Sequence, residues 1–80
     1  MDDEAALVIR LARGDEPALS ELYERLSRQV FSLALQLLGS HQDAEEVLQD
    51  TFVKLYHHNG YKPELGSARA YIYSIARNEA

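Results

Sequence analysis

Apolar residues recur every three or four positions along most of the chain, a spacing that places them on one face of a helix. The pattern predicts four amphipathic helices: the first over about 3–13, the second between Asp15 and Gly39, the third between Ser40 and Asn59, and the fourth after Ser67. No stretch alternates apolar and polar residues as a half-buried strand would. The sequence therefore predicts an all-α fold, a compact bundle of about four helices joined by short turns.

Each predicted helix has an apolar stripe that should form its buried face. The inward residues are predicted to be Leu7, Val8 and Leu11 in the first helix, Leu19, Leu22, Tyr23, Leu26, Val30, Leu33, Ala34 and Leu37 in the second, Ala44, Val47, Leu48, Thr51, Phe52, Leu55 and Tyr56 in the third, and Ala68, Tyr71, Ile72, Ile75 and Ala76 in the fourth. Phe31, Leu35 and Leu38 widen the stripe of the second helix, which predicts burial of its C-terminal half on more than one side.

Capping residues indicate where these helices begin and end. Asp15, Ser40 and Ser67 are predicted N-caps, because their side-chain oxygens can accept hydrogen bonds from the free N–H groups of a first turn. Gly39 is predicted to end the second helix, since glycine readily adopts the left-handed conformation found there. The acidic residues Asp2–Glu4 suit the positive end of the first helix dipole.

Length and composition indicate one folded domain over residues 1–80, with apolar residues making up 46% of the chain. The acidic N-terminus lacks the positive charge of a signal peptide. The most apolar run, "VFSLALQLLG", is too short to span a bilayer. We therefore expect a cytoplasmic protein that does not insert into membranes.

Charge is distributed unevenly around the net value of −5. Residues 1–52 carry eleven acidic side chains against four arginines, a net −7, whereas residues 53–80 carry four basic against two acidic side chains, a net +2. Proteins that bind nucleic acid without help are usually basic overall, because neutralising phosphates supplies most of the non-specific affinity. If this chain binds DNA, we expect something else to hold it there.

Catalytic and metal chemistry is poorly supported by the sequence. The chain has no cysteine, and its histidines are His41, His57 and His58. The adjacent His57 and His58 point about 100° apart on a helix, whereas metal-binding pairs lie three or four positions apart. No glycine-rich phosphate loop and no arrangement of nucleophile and base is present. The sequence predicts neither an enzyme nor a cofactor or metal site.

The outward face of the third helix is acidic, with Lys54 its one cation. The face carries the acidic Asp43, Glu46 and Asp50 together with the neutral Gln49. An amphipathic helix needs a solvated face, and that alone can explain them. The alternative is a docking surface for a basic partner, where acidic groups speed encounter and fix register. Composition leaves both interpretations open.

Aromatic and cationic residues occur together in the loop "NGYKPELGS" and in the fourth helix. They are Tyr61, Lys62, Arg69, Tyr73 and Arg77, and the polar Asn78 follows on the same helix. Such side chains suit unstacked bases, because rings stack on bases and cations hold phosphates. The structural alternative is that Tyr71 packs in the core and Tyr61 fastens the loop. We favour the core for Tyr71 and leave Tyr61 and Tyr73 open.

Three segments in order resemble region 2 of bacterial RNA polymerase sigma factors, in particular the extracytoplasmic-function (ECF) group. They are "LLGSHQDAEEVLQDTFVKLY", "YKPELGSARAYIY" and "SIARNEA". The resemblance extends from about Glu16 to Ala80, and the series of motifs at matching spacings is more specific than any one of them. The helical fold of that family agrees with the four helices predicted above.

The resemblance implies a transcription initiation factor rather than an enzyme. It implies that the third helix docks on the clamp coiled coil of the polymerase β′ subunit, through Asp43, Glu46, Gln49 and Asp50. It also implies that the loop 59–67 and the next helix capture a base flipped out of the minus-ten promoter element and hold the non-template strand. The DNA-binding residues would be Asn59, Tyr61, Lys62, Arg69, Tyr73, Arg77 and Asn78. An anti-sigma factor is a further expected partner.

Two departures from the family pattern matter. The family usually has tryptophan where this chain has Tyr71, whose hydroxyl then needs a hydrogen-bond partner. The family also continues beyond the position of Ala80 into a basic stretch and a second helical domain that reads the minus-thirty-five element. We therefore expect that domain to be absent from this chain and the chain to be a truncated form.

A second hypothesis is a helical protein-interaction module. In that case the acidic face would bind a basic partner, and the chain would have no role on DNA. Binding to single-stranded minus-ten DNA in the presence of core polymerase separates the two hypotheses.

Overall fold

Four α-helices and one short 3₁₀ helix follow the order that the hydrophobic pattern predicts. The elements are α1 (Asp3–Ala12), α2 (Glu16–Leu38), α3 (His41–His57), a 3₁₀ helix (Pro63–Leu65) and α4 (Ala68–Glu79). The computed structural model describes residues 3–80, so Asp2, which was predicted to face the α1 dipole, lies outside the described residues. No helix in this part of the chain has the length and apolar character needed to cross a membrane. The prediction of an all-α bundle is confirmed.

Local side chains cap α3 and α4 as their sequences predict. Ser40 Oγ accepts a hydrogen bond from the Asp43 N–H at 3.3 Å, and Ser67 Oγ accepts one from the Ala70 N–H at 3.0 Å. Gly39 ends α2 in the left-handed conformation, with φ of +70°. The two serine hydrogen bonds each satisfy a first-turn N–H that the helix itself cannot pair.

Asp15 occupies the N-cap position of α2, but its side chain makes no capping bond. Its carboxylate instead accepts a hydrogen bond from Arg10 Nε at 2.8 Å and lies 2.7 Å from Arg10 Nη2. The prediction of a side-chain cap was wrong here, because the carboxylate contacts a charged partner on α1 instead of the first turn of α2. The contact joins the end of α1 to the start of α2.

The core lies where α2 packs against the other three helices, with α4 also packed against α1 and α3. It consists of Ala5, Leu7, Val8, Leu11, Ala18, Leu22, Leu26, Val30, Ala34, Ala44, Val47, Leu48, Phe52, Leu55, Ala68, Ile72 and Ala76. Thr51 is fully buried beside them, and its hydroxyl donates to the Val47 carbonyl at 2.6 Å. That bond satisfies a polar group that would otherwise be destabilising in the core.

Three residues predicted to face inward are exposed, and for them the prediction was wrong: Tyr23, Leu37 and Tyr56. The buried residues of α2 are spaced four apart up to Ala34, and the same line continues to the half-buried Leu38. This line of residues is the seam along which α2 packs against its neighbours, and Leu37 lies to one side of it. The apolar stripe in the sequence is therefore wider than the face that the neighbouring helices cover.

Polar contacts at the surface tie α3 to its neighbours. The Tyr56 hydroxyl donates to Glu16 Oε1 at 2.7 Å, and this hydrogen bond, together with the carboxylate charge, raises the pKa of Tyr56. Lys54 Nζ donates to Glu79 Oε2 at 2.7 Å. These contacts fix α3 against the start of α2 and the end of α4.

Candidate functional site

Asn59 fastens the loop between α3 and α4 to α1. Its side-chain Nδ2 donates to the Val8 carbonyl at 2.9 Å, and its Oδ1 accepts a hydrogen bond from the Tyr61 N–H at 3.1 Å. Asn59 is half-buried, and both ends of its amide bind within the protein. In this structure it therefore positions the loop, while its predicted contact with DNA stays a prediction.

Two tyrosines hold the rest of the loop against the start of α4. The rings of Tyr61 and Tyr71 are 5.4 Å apart between centroids. The Tyr61 hydroxyl donates to the Gly66 carbonyl at 2.9 Å, and the Tyr71 hydroxyl accepts a hydrogen bond from the Gly60 N–H at 2.8 Å. The structure thus provides the partner that the Tyr71 hydroxyl needs. It also shows Tyr61 fastening the loop, as the structural alternative predicted.

A depression of about 270 Å³ opens between this loop and α4. Its lining residues are Gly60, Tyr61, Lys62, Leu65, Gly66, Ser67, Ala70, Tyr71 and Ser74. Lys62 is exposed, and Leu65 is 81% exposed. Sequence reasoning missed Leu65, although an apolar residue in a loop between turn formers is the signal that could have identified it. The depression combines aromatic and apolar walls with a cation, which is the chemistry that an unstacked base requires.

The hydroxyl of Tyr71 is expected to stabilise this loop, so Tyr71→Phe should loosen it. Removing one hydrogen bond of this kind costs about 0.5–1.5 kcal/mol. We expect faster hydrogen exchange of the Gly60 amide in Tyr71→Phe, measured by NMR. Tyr73→Phe is the matched control, because it removes the same atom from the same helix outside the depression. Equal exchange at Gly60 in wild type and Tyr71→Phe would contradict the role.

Arg69 lies in the first turn of α4 and forms a paired contact with α1. Its Nη2 donates to Glu4 Oε2 at 2.7 Å and its Nε donates to Glu4 Oε1 at 3.2 Å. The Arg69 side chain is 47% exposed, while that of Glu4 is 17% exposed. The predicted DNA-binding cation is thus accessible but engaged with a carboxylate.

The remaining predicted DNA-binding residues lie further along α4. Arg69, Tyr73 and Arg77 are four positions apart and so share one flank of the helix, which Asn78 does not. Arg77 and Asn78 are exposed, whereas Tyr73 is half-buried in a separate groove that α2 lines with residues including Arg28 and Gln29. The structure therefore brings Tyr61 and Lys62 together at the depression and spreads the others over the adjoining surface.

The acidic residues of α3 are exposed, as predicted. Asp43, Glu46 and Asp50 line a hollow of about 280 Å³ together with Glu79, and Gln49 lies outside its lining. Over residues 3–80, no three histidine or carboxylate side chains are placed to hold a metal ion. The hollow therefore concentrates negative charge at the surface of α3.

Sequence reasoning missed Val53, an exposed apolar side chain on α3. Val53 lies three positions after Asp50 and seven after Glu46, so it shares their side of the helix. An apolar residue outside the inward stripe is the signal that could have identified it. A single exposed apolar side chain is common on protein surfaces, so Val53 by itself assigns no role to α3.

Comparison with known proteins places these features in a family context. The Sigma-70 region 2 family model matches residues 22–80. The chain is 28% identical over 76 residues to the ECF RNA polymerase sigma factor SigK of Mycolicibacterium vanbaalenii, a match that covers 94% of this chain and 39% of that relative. The chain thus spans well under half the length of this relative. No solved structure matches the chain.

Proposed function

Because the chain belongs to the Sigma-70 region 2 family, and hence to the transcription initiation factors rather than the enzymes, we propose that it joins core RNA polymerase to promoter DNA. In this proposal α3 docks on the clamp helices of the polymerase β′ subunit. The loop between α3 and α4 captures a base of the minus-ten element and holds the separated non-template strand.

The depression beside Tyr61 is the observation that carries the DNA part of the proposal. It is concave, it opens to solvent, and Lys62 stands at it with an exposed cation. Taking a base out of the stack costs a few kcal/mol, and stacking on a ring returns about 1–3 kcal/mol per base. A single site therefore offsets base opening only in part.

In this proposal, attachment to polymerase supplies the affinity for DNA that the isolated chain lacks. The net charge of −5 opposes binding to a polyanion, so the loop alone gains little from the phosphates. The polymerase-binding residues of the proposal are Asp43, Glu46, Gln49 and Asp50, with Val53 added from the structure. Docking through them would raise the effective concentration of the loop at the promoter.

The other predicted partners and parts of the factor also belong to the proposal. The name of the M. vanbaalenii relative supports an ECF-type factor. Residues 1–80 would form the region 2 domain, and recognition of the minus-thirty-five element would require a further domain. An anti-sigma factor would inactivate the protein by covering the acidic face of α3 and the loop.

The DNA role is tested by gel-shift binding of single-stranded minus-ten DNA to the chain in the presence of core polymerase. Tyr61→Ala should weaken binding by about 5- to 150-fold, the range that corresponds to stacking of one base. Lys62→Ala and Arg69→Ala should weaken binding less. Each should reduce the slope of log affinity against log salt concentration by about 0.7, the value for one contact with a phosphate of a single strand. Arg13→Ala is the matched control, because it removes one exposed cation outside the loop and α4.

Unchanged binding in all three variants would favour the alternative, a protein-interaction module with an acidic docking face and no DNA role. Loss of binding in Arg13→Ala by the same factor as in Lys62→Ala would show that only net charge matters. In either case the loop would not be the DNA-binding element.

A further inference from the structure

Helix α1 lies outside the residues 22–80 that the family model matches, yet it reaches the proposed DNA surface. Each oxygen of its Glu4 carboxylate accepts one hydrogen bond from Arg69, at 2.7 Å and 3.2 Å. The two residues are 65 positions apart in the sequence. The contact therefore depends on the fold and is not a local pairing within α4.

The chemistry of this contact matches that of a DNA phosphate. Arginine presents N–H donors in a planar fork that fits the paired oxygens of either a carboxylate or a phosphate. When Glu4 fills that fork, the same donors are not available to a phosphate. A phosphate can therefore occupy the same fork of Arg69 only by replacing the carboxylate.

We propose that Glu4 is an internal stand-in for a DNA phosphate, which holds Arg69 in the unbound domain and is displaced when the strand binds. This inference rests on the proposed role of Arg69 in DNA binding. The inference needs only that Glu4 is one partner of Arg69, and Arg69 can have other partners as well.

Displacement is feasible because the contact is open to water on the arginine side. The Arg69 side chain is 47% exposed, and ion pairs at such sites are weak and screened by salt. Helix α1 does not depend on the pair for its place in the bundle. Ala5, Leu7, Val8 and Leu11 are buried in the core, and the Val8 carbonyl accepts the Asn59 side chain.

The test measures the affinity of the chain, bound to core RNA polymerase, for a fluorescein-labelled single-stranded DNA of randomised sequence. Fluorescence anisotropy at low salt gives the affinity, with core polymerase alone as the blank. Glu4→Gln should bind about 1.4- to fivefold more tightly than wild type, the range set by the strength of an exposed ion pair. Circular dichroism should show unchanged helix content.

Asp3→Asn is the matched control for charge. It removes one negative charge from the same turn of α1, where the Asp3 carboxylate lies 3.9 Å from Arg25 rather than beside Arg69. It should change the affinity by less than Glu4→Gln does. Glu4→Gln in an Arg69→Ala background should give no gain, because the cation that Glu4 holds is then missing.

The outcomes separate this inference from the proposed function. If Arg69→Ala weakens binding but Glu4→Gln does not tighten it beyond Asp3→Asn, Glu4 is not a competitor and the inference fails alone. Weaker binding in Glu4→Gln would show that Glu4 orients Arg69 for DNA, which also overturns it. If Arg69→Ala has no effect, the proposed DNA role of Arg69 fails, and the inference fails with it.

Discussion

Replacing Glu46 and Asp50 together by lysine is expected to weaken binding of the chain to core RNA polymerase by at least about tenfold. Both side chains are exposed on α3 and line the same acidic hollow. Charges of like sign brought together at an interface cost several kcal/mol, so reversal should act more strongly than removal. Glu46→Gln with Asp50→Asn should therefore fall between wild type and the reversed variant. Co-migration with core polymerase in size-exclusion chromatography, or a titration of labelled chain, gives the affinity.

The fold should survive this change. Glu46 and Asp50 are four positions apart, where like charges repel weakly within a helix, and two lysines keep a repulsion of similar size. Asp3→Lys with Glu64→Lys is the matched control, because it changes the net charge equally at exposed residues outside α3. The helical circular-dichroism signal should persist in both variants. Polymerase binding that is unchanged by the α3 variant would remove α3 from the docking role.

Helix ends were predictable from the sequence where they depend on neighbours in the chain. Ser40 and Ser67 cap helices through bonds to residues three positions later, and Gly39 adopts the left-handed conformation as expected. Asp15 was not predictable in the same way, because its carboxylate binds Arg10 on another helix. The preference for Asp at an N-cap considers only the donors and acceptors of the same helix. It cannot predict that a charged side chain from a neighbouring helix will bind the carboxylate.

In the candidate site, too, local features were predictable from the sequence and contacts between distant residues were not. The composition of the loop predicted a surface of rings and cations, and the depression beside Tyr61 and Lys62 lies there. The sequence did not predict that Asn59 would bind α1, or that Glu4 would hold Arg69. The partners of the first contact are 51 positions apart in the sequence, and those of the second are 65 positions apart. Only the packing of α1 against the rest of the bundle brings them together.

The burial of apolar residues was predicted as a stripe, but the structure covers only part of it. Helical spacing placed Leu26 and Leu37 on the same face of α2, and α2 buries the first and exposes the second. Periodicity gives the direction of a face but not how far the neighbouring helices extend along it. The difference matters for mutagenesis, since the same substitution has different consequences at the two positions.

Leu26→Ala is expected to destabilise the domain by about 2–5 kcal/mol, whereas Leu37→Ala should change its stability by less than about 1 kcal/mol. Leu26 is 0% exposed, and its truncation leaves a cavity in the seam between α2 and its neighbours. Leu37 is 52% exposed, so truncation there loses few contacts. Alanine also has the higher helix propensity, which partly offsets any loss at Leu37.

The pair is matched in chemistry, because both changes remove the same atoms from the same helix. A domain of this size has a total stability of roughly 4–12 kcal/mol, so Leu26→Ala should remove a large fraction of it. The midpoint of thermal unfolding should fall by roughly 10–30 °C for Leu26→Ala and by only a few degrees for Leu37→Ala. Equal midpoints would mean that Leu26 is not in the seam, and the packing of α2 that positions the loop and the acidic face would then be wrong.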